Sequence, residues 1–171
     1  MKPRIALLLV LLGVVGGLLG YRAFADPEAR EMRRITKRVL ALAESVSFGE
    51  KDSPFQRLGY ADRVAGFFGP TVELAINLGT REAHATLSRS ELKERAGVMR
   101  ATARGLSVRF LDVVPSLDIQ GPRDRASVHL TSKIYFLGDV DYIVQEFRLR
   151  LVKHAQNGWE VVRVETVRTM E

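Results

Sequence analysis

Asp112 and Asp118 are the acids whose surroundings in the sequence leave room for acid–base chemistry. Both lie in a strand-like run, Leu106 to Ile119, whose apolar alternation changes phase near Phe110-Leu111. Parity therefore leaves each with two readings. It is either a cavity acid, whose carboxyl desolvation would push up, or an ordinary solvent-facing strand acid. The three histidines are dispersed. His84 falls in the loop before a helix, His129 on the outward face of a strand and His154 beside a turn, at no spacing that assembles metal ligands. The sequence has no cysteine, which excludes a disulfide scaffold, thiol catalysis, thiolate metal sites and a cysteine-borne lipid anchor. It also has no phosphate loop, nucleophile elbow or Ser/His/Asp order. No catalytic set, metal or cofactor is expected from these residues.

Two further groups bear on binding. Tyr60, Phe67, Phe68, Phe110 and Trp159 are large aromatics able to line a pocket or to fill a core. His129, Lys133 and Tyr135 share the outward side of one strand, which makes that side either a wet sheet face or a dimer contact.

The elements that must position these residues follow from patterning. Asp26-Pro27-Glu28 combines a side-chain cap, proline at the first helical position and a first-turn acid. Met32, Ile35, Val39, Leu42 and Val46 then continue an apolar stripe, with Arg30, Arg33, Arg34, Lys37 and Arg38 on the opposite face. That basic face is read as solvated, or as touching anionic headgroups. Ser53-Pro54 opens a second helix, expected to run through Tyr60, Val64, Phe67 and Phe68 and to stop at Gly69-Pro70. Thr71–Leu78 alternates as a strand. Ser88 and Glu91 form a capping box for a third helix, with Gly105 its expected terminator.

From Leu106 onward every segment reads as strand. The phase change near Phe110 predicts a β-bulge, and Pro115 demotes regular pairing there. Ala126, Val128, Leu130, Ile134 and Phe136 mark an inward face whose only polar member is Ser132. A turn at Gly138-Asp139 and a hairpin at Asn157-Gly158 join the last strands. Helices gathered before a meander mean α+β. The expected order is α-α-β-α-β-β-β-β, with three helices on a strongly bent, mainly antiparallel sheet.

Residues 1–25 stand apart. Lys2 and Arg4 precede a charge-free run from Ile5 to Tyr21, apolar on all sides. One reading is a signal peptide cleaved after Ala23-Phe24-Ala25. The other, adopted here, is an uncleaved anchor with Arg22 snorkelling to the interface. It makes the chain a single-pass inner-membrane protein with residues 26–171 outside the cytoplasm. Cleavage at Ala25-Asp26 would instead release a periplasmic or secreted domain. The segment also holds three of the 26 basic residues and no acid, which leaves 23 bases against 20 acids, a formal +3. A mixed surface of that charge excludes a nucleic-acid footprint.

Three passages carry a resemblance: Phe67-Phe68-Gly69-Pro70-Thr71-Val72-Glu73-Leu74, the Gly121–Leu130 hairpin with Asp124-Arg-Ala-Ser-Val, and Asn157-Gly-Trp-Glu-Val-Val-Arg-Val164. With the element order, they resemble the nuclear transport factor 2-like superfamily, which includes SnoaL-like and ketosteroid-isomerase-like domains. The resemblance covers Asp26 to the C-terminus. It implies helices wrapped by a bent sheet into a cone with an apolar cavity, in which the five aromatics are pocket candidates and Asp112 or Asp118 the cavity acid. Small bacterial members with an N-terminal membrane segment look similar. The expected function is a non-catalytic, membrane-anchored domain binding a protein or a small apolar ligand, or a homodimer through the sheet face. An assembly component of an envelope secretion or lipid-transport complex is the second reading, and an isomerase- or dehydratase-like enzyme the third.

Overall fold

The computed structural model describes residues 26–78, 81–118 and 124–167. The proposed membrane segment, residues 5–21, lies outside them, as do Ile119 and the last four residues. Among the described residues, no helix is long and apolar enough to cross a membrane. The chain divides into two compact units at Arg34/Ile35. Helix α1 (Pro27–Val46) starts in the first, where the Asp26 carboxylate accepts from the Glu28 amide at 2.9 Å, as the cap requires.

In the second unit α1 continues, and α2 (Pro54–Leu58), α3 (Tyr60–Ala65), β1 (Phe68–Leu78), β2 (Arg81–Ser88), α4 (Arg89–Thr102), β3 (Leu106–Leu117), β4 (Arg125–Phe136), β5 (Ile143–His154) and β6 (Gly158–Thr166) follow. The six strands form one sheet in the order β2-β1-β6-β5-β4-β3. All neighbours are antiparallel except β1 and β6, which run parallel. The α+β class stands, but the order is α-α-α-β-β-α-β-β-β-β.

Four expectations need correction. The second helix is two, broken at Gly59, which caps both. The break lets Tyr60 and Val64 face the core while Phe55 and Leu58 stay in solvent. Gly69-Pro70 does not stop a helix; α3 already ends at Gly66, and the pair lies inside β1. There the β1–β6 register is interrupted between Phe68 and Glu73, so the missing proline N–H leaves no ladder position empty. The stretch holding His84 is strand β2, paired with β1 from Ser88 to Arg81. Finally, α4 ends on Ala103 in extended geometry, before Gly105. Gly105 instead allows a close approach, since a Cβ there would stand 3.0 Å from Leu137 Cβ.

The core lies between the helices and one sheet face. Ile35, Val39 and Leu42 of α1 with Tyr60 and Val64 of α3 meet Val72, Val128, Leu130, Leu149, Leu151 and Val161. Burying each such side chain contributes roughly 1.5–3 kcal/mol. Arg38, expected on a solvated face, is drawn inward: its Nη2 donates to the Gly66 carbonyl at 2.6 Å, its Nε to the Trp159 carbonyl at 3.3 Å, and its carbon lies 4.1 Å above the Phe67 ring. It thus satisfies an end-of-helix carbonyl that α3 leaves open.

The predicted bulge is present two residues beyond the phase change. Leu111 pairs with Thr131 but Val114 with His129, and Asp112, inside the extra residue's loop, has φ of 51°. Strand β3 is one of the sheet's two edges, where Pro115 and the bulge discourage further pairing.

Candidate functional site

The inward face of β4 falls as parity requires: Ala126, Val128, Leu130 and Ser132 are buried. The aromatics named as pocket candidates pack with them. Tyr60, Phe67, Phe68 and Trp159 belong to the buried cluster, and Phe110 packs half-buried against it. Tyr60 meets Phe48 edge-to-face at 5.2 Å and donates its hydroxyl to the Val46 carbonyl at 2.8 Å. Burial pushes its phenol up to about 12, against the pull of Arg100 and Arg63. Ser132 is buried with its hydroxyl unpartnered among the described residues. Asp112 and Asp118 are both exposed, Asp112 at the bulge and Asp118 just beyond the end of β3.

One acid is buried that the sequence did not single out. Glu160 in β6 is 2% exposed. Its Oε1 accepts from Arg89 Nη2 at 2.7 Å and from Asn157 Nδ2 at 3.1 Å, while His154 Nε2 lies 3.5 Å from Oε2. Arg89 also donates twice to the Phe68 carbonyl, at 3.0 and 2.6 Å. The capping box of Ser88 and Glu91 sets the start of α4, and with it the place of Arg89. Through these contacts the Glu160 side chain ties together α4, the start of β1 and the β5–β6 hairpin. Its signal in the sequence was an acid inside the apolar run Trp159-Glu160-Val161-Val162.

The outward sheet face has two zones. Toward one end of β4 lie His129, Lys133 and Tyr135, the residues proposed for a dimer contact. Arg148 Nε donates to His129 Nε2 at 3.1 Å, Lys133 Nζ stands 3.7 Å over the Tyr142 ring, and Tyr135 is exposed. Register places Val114 beside His129, Leu111 beside Thr131 and Val144 beside Lys133. Val114 and Val144 are 59% and 54% exposed, so this zone is an apolar patch with basic and aromatic members.

Toward the other end, a polar row crosses five strands: Glu73, Arg163, Arg150, Ser127 and Ser116 are successive cross-strand partners. The row runs through an open cleft of about 760 Å³, walled also by Arg125, Leu117, Val152 and Val162, with Asp118 at the β3 end. Arg163 bridges Glu73 at 3.0 Å and Glu165 at 2.9 Å, and Arg148 bridges Glu165 at 3.2 Å. Burial works to raise the Glu165 carboxyl, but the bonds and charges of Arg163 and Arg148 outweigh it and hold it below the usual range. The histidines remain apart, and no group of three metal-ligating side chains occurs among the described residues.

The arrangement of helices on a curved, mixed six-stranded sheet has counterparts among solved structures. A proposed dehydratase of the NTF2-like family from Streptomyces avermitilis is 14% identical, with a TM-score of 0.56 over 85% of this chain and 100% of that one. The chain has the nuclear transport factor 2-like fold. A proposed scytalone dehydratase from Novosphingobium aromaticivorans is 15% identical, at a TM-score of 0.58 over 85% of this chain and 89% of the other. An NTF2-like protein of unknown function from Pseudomonas putida is 8% identical, with the same score over 82% and 87%. Identities this low establish the NTF2-like fold alone. No family model matches the sequence, and no curated protein matches it.

Proposed function

We propose that this NTF2-like domain is a non-catalytic binding module, held at the membrane by residues 5–21 with residues 26–171 outside the cytoplasm. Its open sheet face docks a protein, a second copy of the chain first of all. The observation that carries the reading is the exposed apolar zone, where Leu111, Val114 and Val144 flank His129, Lys133 and Tyr135. Branched aliphatic side chains about half exposed on a strand face, as these three are, suit a docking surface. A non-catalytic role is supported by the acids: Asp112 and Asp118 stand in solvent, and Glu160 is closed off by Arg89 and Asn157.

Sedimentation of the full-length chain tests the docking face. The wild type is expected to be a dimer at micromolar concentration, and Val114→Lys with Val144→Lys a monomer of unchanged circular dichroism. A monomeric wild type at 100-fold higher concentration would refute self-association. Mass spectrometry of the membrane-fraction protein tests the anchor, and a new N-terminus at Asp26 would replace it by cleavage.

A further inference from the structure

The polar row on the outward face sets like charges side by side. Arg150 has Arg163 as its cross-strand partner and Arg148 two residues away on the same face. Like charges directly opposite one another weaken a sheet. Of the acids nearby, Glu73 and Glu165 are engaged by Arg163 and Arg148, and Asp118 lines the cleft at its β3 end, two strands from Arg150. Neither Arg150 nor Arg125 has a side-chain partner among the described residues. Both line the cleft, whose volume of about 760 Å³ suits a small molecule.

Three features of the cleft define what would fill it. Neighbouring strands lie about 4.8 Å apart, so guanidinium groups on adjacent strands can both reach one oxyanion. Ser127 and Ser116 continue the row with hydroxyl donors. Leu117, Val152 and Val162 give the same cleft an apolar wall. We propose that it binds an amphipathic organic anion, a single phosphate or carboxylate group on a short hydrocarbon body. The oxyanion sits against Arg150, Arg125 and Ser127, and the hydrocarbon against Val152 and Val162. This inference is independent of the docking face, which lies further along β4, and it holds whether the chain is a monomer or a dimer.

Calorimetric titration of the full-length chain decides it, with butyl phosphate as probe and inorganic phosphate, pentanoate and butanol as further arms. Butyl phosphate is expected to saturate one site and to bind at least fivefold more tightly than inorganic phosphate, while butanol gives no binding. The pentanoate arm ranks carboxylate against phosphate and supports the site by saturating in competition with butyl phosphate. Raising the salt from about 50 to 300 mM weakens binding, because the cleft is open and its charges are screened. Arg150→Gln and Arg125→Gln each weaken butyl phosphate at least tenfold. Arg150→Gln also leaves the melting temperature unchanged or raises it, because it removes repulsion and no partner. Absence of saturation, equal affinity for inorganic and butyl phosphate, or unaltered binding by Arg150→Gln would overturn the proposal.

Discussion

Replacing Arg89 by methionine removes the cation that faces the one acid buried among the described residues. The Glu160 side chain is 2% exposed and that of Arg89 37%, so the two members of the pair are not equivalent. Without Arg89 the carboxylate stays buried with Asn157 as its hydrogen-bond donor, and His154 stands 3.5 Å away. Removing one partner of a buried pair costs about 3–5 kcal/mol, and water at the Arg89 head places this case near the lower bound, about 3 kcal/mol. The Phe68 carbonyl also loses its two donations, a further loss of about 1 kcal/mol. Glu160→Gln is the informative contrast. It leaves Arg89 able to turn to water and keeps an acceptor for Asn157, so the expected cost is only about 1 kcal/mol. Urea unfolding followed by fluorescence measures both, because Trp159 is the only tryptophan, is 4% exposed and adjoins Glu160. A loss of about 4 kcal/mol is a large share of a typical domain stability of about 5–15 kcal/mol. Equal costs for the two variants, or an Arg89→Met loss below about 1 kcal/mol, would refute the argument that burial of the acid sets the penalty.

Other perturbations probe the fold at single contacts. Tyr60→Phe loses the bond to the Val46 carbonyl and should destabilise by about 1 kcal/mol in the same urea assay. The Tyr60 phenol sits near 12 when folded and near 10 when unfolded, so its contribution is complete below about 10 and fades as pH rises through 12. Alkaline unfolding curves of wild type and Tyr60→Phe should therefore converge across that window. Ser88→Ala removes the capping box of α4 and should cost about 1 kcal/mol. The backbone and side-chain bonds from Ser88 hold the Glu91 carboxyl below its usual value, and that contribution is present above the carboxylate range and lost as pH falls. An acid titration of stability should therefore be shallower in Ser88→Ala. Two glycines should respond with opposite sign in thermal melts. Gly97→Ala meets open space inside α4 and stabilises by about 1 kcal/mol. Gly105→Ala presses on Leu137 and the Phe48 carbonyl and destabilises by about 1–3 kcal/mol.

Local rules succeeded where one element satisfies itself. The cap at Asp26, the box at Ser88 and Glu91 and the turn at Asn157-Gly158 depend on residues within four positions of each other, and all are in place. Strand β2 is hard to read from the sequence because Ala83 and Ala85 share core parity with Leu87, and of the three only Leu87 is buried, which gives a weak alternation against Glu82, His84 and Thr86. The single helix expected from Ser53 to Phe68 failed for a different reason. The apolar spacing is continuous across Gly59, and only packing shows that Tyr60 faces the core while Phe55 does not.

The sequence by itself determined the α+β class, the face to which each β4 residue points, and the presence of a bulge in β3, because side-chain parity is a property of consecutive residues. The tertiary structure decided which residues meet across strands. A hairpin closed at Gly158 and continued without interruption would set Arg150 opposite Val162. The irregularity between Arg150 and Leu151 sets it opposite Arg163 instead, and the parallel β1 then brings Glu73 alongside. Similarly, the extra residue near Asp112 aligns Ser116 with Ser127. One inserted residue changes no local propensity but shifts every later pairing by one position, which is why the arginine row emerged only from the folded chain, while Glu160 meets its partner Arg89 only because the start of α4 lies beside β6.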